Sequence, residues 1–298
     1  VTEFKDNKRL FLLMVPTALF WAGAFIAGKI AVAEFSLFTL TFIRFLTALV
    51  IVFPLMIKYE PDRWKISFKE FPIFILTGFL GIFTYHVLFF IALTKTTAIN
   101  SSLIGATNPM ATTIIAALFL NERIGLKRAG AILLAFMGVL LTASRGNIEA
   151  FTTMRFNSGD VLMLCAVIAF AVYSVVSKKI MIKYSPIIIL TYSFLTAVIM
   201  LIPFVIMERP ISYLHGISIK AWGSVFYMGI FASAIGYLLQ QYAIKAYGAS
   251  KTMLFVNLVP VFSIIISVII LKETVNLITL ISAVIIITGV YLSSRLNK

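Results

Sequence analysis

The sequence predicts an all-α integral membrane protein: ten transmembrane helices in two inverted five-helix repeats around a central cavity. Three observations point there. Of the 298 residues, 61% are hydrophobic and 12% charged, and the mean hydropathy is +1.05. A soluble domain carries about 25% charged and about 45–50% apolar residues, so the surplus apolar surface belongs in lipid. Apolar runs of about 20 residues, enough to cross about 30 Å of hydrocarbon, recur along the whole chain. Finally, the second half of the chain repeats landmarks of the first in register.

The runs cover approximately 10–33, 36–57, 72–93, 98–120, 127–143, 160–179, 185–207, 221–246, 249–271 and 276–294. The first follows a charged stretch, as a signal peptide would, but it is too long for an h-region and many spans follow, so it reads as a retained helix. The second carries Arg44 and the third His86, the one histidine within a span. The fourth is the most polar and holds Pro109, while the fifth is short. The sixth contains Cys165, the single cysteine, which leaves no disulfide framework and no thiol metal site. The eighth and ninth mirror the third and fourth. The longest polar connections, 58–71, 144–159 and 208–220, leave no room for a soluble domain.

A net charge of +14 in a soluble protein would suggest nucleic acid as a partner; in a membrane protein the position of the cations matters more, and no nucleic acid is expected. With the N-terminus in the cytoplasm, 17 of the 25 Lys and Arg fall inside and 6 outside, Lys29 and Arg44 lying within spans. This bias matches the positive-inside rule and predicts that both termini are cytoplasmic.

At an offset of 151 residues Pro109 falls on Pro260, Leu120 on Leu271, Glu122 on Glu273, Gly138 on Gly289 and Gly78 on Gly229. An offset of 150 superposes Lys29-Ile30 on Lys179-Ile180 and Leu40-Thr41 on Leu190-Thr191. The expected halves are 1–145 and 146–298. Each has five spans, an odd number, so the second crosses the membrane in the opposite sense, the arrangement of alternating-access transporters. Duplication retained only for packing is the competing explanation.

The residues also carry a family pattern. Phe20-Trp21-Ala22-Gly23 with Lys29 in the first span, Phe42-Ile43-Arg44-Phe45-Leu46 in the second, and Asn108-Pro109 with Leu120-Asn121-Glu122-Arg123 in the fourth are followed by Gly138-Val139. Gly159-Asp160, Ala171-Val172-Tyr173-Ser174, Val259-Pro260 and Leu271-Lys272-Glu273 stand at corresponding places in the second half. In order and spacing the chain resembles the EamA-like, ten-helix branch of the drug/metabolite transporter superfamily, over nearly its whole length. The resemblance implies a basket of helices around a cavity lined by both halves, in the cytoplasmic membrane of a prokaryote, and efflux of amino acids or other small metabolites without a cofactor. It does not imply which substrate. The second half departs from the first in having Ser193-Phe194 at the place of Arg44.

The small-residue stripes Gly78, Gly81, Ala92 and Gly229, Ala232, Gly236, Ala243 read as helix packing in lipid. Tyr85, Phe89 and Gln240 on the same stripes are cavity candidates, because they set bulk or an amide among small neighbours. Arg44 lies about 12 Å deep at 1.5 Å per residue. It reads either as a counter-charge for a substrate carboxylate or phosphate, or as a structural arginine satisfied by backbone carbonyls or snorkelling toward Glu34; the shared family pattern favours the structural role. Lys29 is expected to snorkel to the outer interface. Trp21 sits near the midplane, where its indole N–H needs an acceptor. His86 either binds substrate, carries a proton or is a neutral histidine bonded to a neighbouring helix. Ser101 and Asn108 share a face of the fourth span. Pro109 and Pro260 remove backbone donors at equivalent places and are hinge candidates. Asn257, Tyr173, Tyr237 and Gln241 are further polar-tipped candidates.

The function expected is a carrier of amino acids or similar small metabolites, exporting by alternating access. With all eleven acidic residues at loops or span ends, a carboxylate proton relay has no support and passive or exchange-driven transport is the simpler default. A flippase or importer of lipid-linked or nucleotide-linked metabolites is the alternative carrier, and a channel or receptor the alternative class. No nucleophile with a base, acid pair or metal cluster is visible, so an enzyme is not expected.

Overall fold

Several helices begin at a residue whose side chain supplies a capping oxygen. The computed structural model describes residues 2–120, 125–144, 146–147, 157–247 and 254–295, and these are helices joined by short turns. In chain order they are α1 Thr2–Ala31, α2 Leu37–Tyr59, α3 Phe71–Thr77, α4 Tyr85–Lys95, α5 Ala98–Gly105, α6 Asn108–Leu120, α7 Leu126–Ser144, α8 Ser158–Ile180, α9 Pro186–Glu208, α10 Ile219–Tyr227, α11 Gly236–Tyr247, α12 Leu258–Ile270 and α13 Leu277–Arg295. Thr97 caps α5 by accepting from the Asn100 N–H at 3.0 Å. Asn157 caps α8 through Gly159 and Asp160 at 2.8 and 3.3 Å, and Ser218 caps α10 through Ala221 at 3.2 Å. Each satisfies a donor that a helix start leaves orphaned.

Seven of the described segments are long and apolar enough to cross a membrane: Leu12–Ala31, Leu37–Tyr59, Phe68–Lys95, Ala98–Phe119, Ser158–Ile180, Pro186–Glu208 and Ile219–Gln240. At the places expected for the fifth, ninth and tenth runs stand shorter apolar helices, Ala129–Thr142, Leu258–Ile270 and Leu277–Ser293. Helices α7 and α13 each run to 19 residues in full. The ninth run is split into a 3-10 turn, Leu254–Asn257, and α12; 13 helical residues rise only about 20 Å at 1.5 Å each. Leucine, isoleucine, valine and phenylalanine side chains such as Val50, Leu118, Phe119, Ile199, Ile269 and Val284 face outward. This is the surface composition of a chain whose solvent is lipid.

Two long helices change winding in mid-course. Between α3 and α4 the backbone forms a π-helix over Gly78–Thr84, and between α10 and α11 another over Met228–Ile235. Gly78 and Gly229, equivalent in the repeat, sit at the starts of the two. Two further interruptions are also equivalent: the Ala106-Thr107 turn between α5 and α6, and the 3-10 turn before α12. Pro109 and Pro260 then occupy the first turns of α6 and α12, where a missing N–H costs no intrahelical bond.

Packing between the halves recurs in exchanged roles. α2 packs on α9 and α7 on α13; α4 packs on α8 as α11 does on α1; α6 packs on α8 as α12 does on α1; and each π segment packs on the long helix of the other half, α9 or α2. Glycines make these approaches possible. A Cβ on Gly289 would stand 2.5 Å from the Ala135 nitrogen, one on Gly138 2.6 Å from Ile286 and one on Gly229 2.8 Å from the Arg44 carbonyl, while one on Gly78 would overlap Thr196 Oγ1. The expected role of the small-residue stripes, close helix contact, is met at Gly78 and Gly229, and Gly138 and Gly289 make the same kind of contact.

Candidate functional site

A cavity of about 250 Å³ opens between the helices of both halves. Three of its lining residues bond to the π segments, where a π turn leaves carbonyls without their usual donors. The Trp21 indole donates to the Ala232 carbonyl at 3.0 Å, and His86 Nδ1 donates to the Ile82 carbonyl at 3.0 Å. Since a carbonyl only accepts, His86 carries its hydrogen on Nδ1 and leaves Nε2 as an acceptor. Arg44 Nε donates to Ser233 Oγ at 2.9 Å, and Nη1 lies 3.9 Å from Met228 Sδ. The guanidinium carbon stands 5.2 Å from the centroid of the Phe45 ring and 5.8 Å from that of Phe90, within cation–π range. Arg44 is 4% exposed, and no carboxylate is among these partners.

Of the cavity residues expected from the sequence, Trp21, Arg44, Tyr85, His86, Phe89, Asn108, Tyr237 and Gln240 come together in its wall, along with the hinge candidate Pro109. The Tyr85 hydroxyl meets the Asn108 side chain, whose Oδ1 is buried without a partner of its own. Ring contacts link Trp21 to Tyr237 at 5.8 Å, Tyr85 to Phe170 at 4.9 Å and His86 to Phe45 at 4.5 Å. Ser101 is fully buried in α5 with an unpartnered hydroxyl, away from the wall. Tyr173 packs instead over Gly81, where a Cβ would overlap its ring. Pro260 stands behind Val259, which does line the wall. The side chains of Gln241 and Asn257 lie outside the described residues, as does Glu122.

Two side chains depart from their expected directions. Arg44 turns toward the π segment rather than out to Glu34, whose carboxylate is occupied by Ser218 N and Oγ at 2.6 Å each. Lys29 does not snorkel to an interface: its Nζ donates to the Leu93 and Thr96 carbonyls, each at 2.5 Å. The unpaired carbonyls at the end of α4 are nearer than interfacial water and carry the negative end of the helix dipole. Lys29 belongs to a polar cluster with Thr96, which donates to Asp160 at 2.6 Å, and Glu273, which accepts from Ala98 and Ile99 N–H at 2.8 and 3.1 Å. Glu208 does the same for α2, accepting from Phe38 and Thr39 N–H at 3.0 and 2.7 Å.

These contacts close one end of the helix bundle, joining α1, α4, α5, α8 and the turn after α12. The cavity lies toward the other end, reaching Ala116, Lys178 and Ser293 in the C-terminal portions of α6, α8 and α13. Phe25, Thr112, Thr113, Phe170, Ser174 and Lys178 also line it and were not singled out as candidates. Lys178 carried only a loop-charge signal, and Ser233 is a lone serine in an apolar stretch without periodic context. Gly105 and Val256, four residues before Pro109 and Pro260, both line the cavity.

Residues 8–144 and 157–295 each match the EamA-like transporter family. The chain belongs to that family. This EamA-like chain is 32% identical over 286 residues to "Uncharacterized transporter YyaM" of Bacillus subtilis, covering 96% of this chain and 93% of that one. It is 31% identical over 291 residues to an "Uncharacterized transporter" of Archaeoglobus fulgidus, covering 97% and 98%. It is also similar to a "Probable terminal-alkyne amino-acid exporter" of Streptantibioticus cattleyicolor, at 24% identity over 98% of this chain and 95% of that one. A crystal structure aligns with a TM-score of 0.69 over 97% of both chains at 17% identity, a likeness of fold. The EamA-like chain is therefore a multi-pass membrane transporter, as its sequence motifs led us to expect.

Proposed function

We propose that this chain exports amino acids or similar small metabolites across the cytoplasmic membrane of a prokaryote by alternating access. The reading assigns ten spans to two inverted halves, residues 1–145 and 146–298, with both termini cytoplasmic. The observation that carries it is the pairing of helix interruptions: π segments at Gly78–Thr84 and Met228–Ile235, and breaks ahead of Pro109 and Pro260. Interrupted helices at matching places in two halves are where transporters of the inverted-repeat kind bind and move. The exchanged packing of the halves supports the same reading. On the positive-inside assignment the cavity opens inward, and Pro109 and Pro260 serve as hinges.

Amino-acid substrates are favoured by size and chemistry. A cavity of about 250 Å³ lies below the range of about 300–1,000 Å³ typical of drug-sized ligands, which disfavours a lipid-linked cargo. Arg44 supplies a cation for the carboxylate, and the Asn108, Thr112 and Gln240 side chains supply neutral polar groups in the wall. The amino-acid exporter from Streptantibioticus cattleyicolor supports the substrate class. With no acidic residue lining the cavity among the described residues, flux proceeds by exchange or down a gradient. Counterflow in proteoliposomes with a labelled amino-acid panel tests this. Saturable exchange of at least one member is expected. No exchange of any member, or unsaturable current in a planar bilayer, would overturn it.

A further inference from the structure

Resting on the carrier reading above, we infer that Arg44 anchors a carboxylate of the substrate, so that the site selects for an acid group and treats the amine as dispensable. Arg44 is a cation in the wall, and among the described residues no Asp or Glu lines the cavity. A guanidinium presents five N–H donors. Arg44 directs Nε to Ser233 and Nη1 toward the weak acceptor Met228 Sδ, so most of its hydrogen-bonding capacity is not met by oxygen. Burial of such a group is costly unless an anion or strong acceptors answer it. A bound carboxylate does so in the bidentate geometry that guanidinium favours.

The surroundings hold the guanidinium still. Ser233 fixes Nε from the π segment, and Phe45 and Phe90 flank the plane. Tyr85 and Tyr237 lie within electrostatic reach of Arg44 and can donate phenolic hydrogens to the same anion. His86 is turned away from this task, its Nδ1 hydrogen spent on the Ile82 carbonyl. The wall also holds Trp21, Phe25, Phe89 and Phe170, which suits a branched or aromatic body on the acid. An amine lacking the carboxylate brings no anion to Arg44 and is disfavoured beside its charge.

The experiment uses matched triplets. Purified protein is heated with leucine, 4-methylpentanoate or 3-methylbutylamine, and with phenylalanine, 3-phenylpropanoate or 2-phenylethylamine, while the melting temperature is followed. The amino acid and its matched acid are expected to raise the melting temperature at concentrations about tenfold or more below those the amine needs, a difference of about 1.4 kcal/mol in binding. Arg44→Gln should remove the shift by the acids and Arg44→Lys restore part of it. Equal shifts by amine and acid, no shift by any of the four carboxylates, or an undiminished shift in Arg44→Gln would overturn the anchor. Should Arg44→Gln not fold, the triplets on the unaltered protein decide alone. Counterflow with the same compounds separates the two readings. Carboxylate binding without flux keeps the anchor and removes the carrier, whereas flux of amine and acid alike removes the anchor and keeps the carrier.

Discussion

A charged side chain in or beside a membrane is retained where something answers it, and the identity of the answering group assigns its role. Lys29 is answered by two carbonyls at the end of α4 and Arg44 by a serine hydroxyl and two aromatic rings. Glu34 is answered by Ser218, whose hydroxyl and backbone N–H hold its carboxyl below the usual carboxylate range, Lys220 adding to the effect. The sign follows from linkage. A folded-state pKa below the unfolded value means that the contact stabilises the protein above the unfolded carboxylate range, about 4.3, and that this contribution is lost as pH falls through the lowered value. Thermal melts of the unaltered protein and Glu34→Gln should therefore differ at pH 7 and converge as pH approaches about 3. A gap that does not change with pH would show that the carboxylate charge is not what matters. Apart from Phe45, the neighbour of Arg44 in α2, none of these partners was legible in the sequence, because each comes from a distant part of the chain and no spacing rule connects them.

Among the elements, the paired glycines and paired interruptions have different standing. Gly138 with Gly289, and Gly78 with Gly229, were visible as repeat matches, and each has a neighbour within van der Waals distance of a missing Cβ. The neighbours of Gly289 are backbone atoms of α7, the Ala135 nitrogen at 2.5 Å and the Ala131 carbonyl at 2.8 Å. Backbone cannot rotate aside as a side chain can, so Gly289→Ala is expected to destabilise by about 1–3 kcal/mol through overpacking. Gly223→Ala, with nothing within 4 Å of its Cβ, is the control and should leave the melting temperature nearly unchanged. Comparable melting temperatures for the two variants would refute the close α7–α13 approach. The prolines were also legible, since a missing N–H is a property of the residue itself. The π segments were not: Gly78–Thr84 and Met228–Ile235 carry ordinary apolar residues, and an extra residue per turn leaves no compositional trace.

At the scale of the whole molecule, the polar contacts gather at one end and the cavity reaches toward the other. Glu273 is the link most open to test, since it accepts from the first two N–H groups of α5 and also acts through space on Lys29. Removing its charge with Glu273→Gln weakens a cap worth about 1 kcal/mol, which shifts a two-state balance by about fivefold. The check is labelling of Ala98→Cys, a fully buried position, by a bulky maleimide in a Cys165→Ser background. The labelling rate should rise several-fold when Glu273→Gln is added. An unchanged rate would mean that the cap does not hold this end closed.

The sequence by itself determined residence in lipid, an all-helical chain, the landmarks shared by the two halves and the family. Hydropathy, charge bias and proline chemistry are local and additive along a chain, so they can be read without a fold. Tertiary structure decided which polar residues share a cavity and which are buried elsewhere. It brought Trp21 to a carbonyl 211 residues away, drew Tyr173 onto Gly81 and out of the wall, and turned Lys29 inward to a helix end. It also packed α7 on α13 and split the ninth expected run into a 3-10 turn and α12. These outcomes depend on the direction in which each helix presents its side chains and on the carbonyls its neighbours leave unsatisfied, quantities that exist only once the helices are packed.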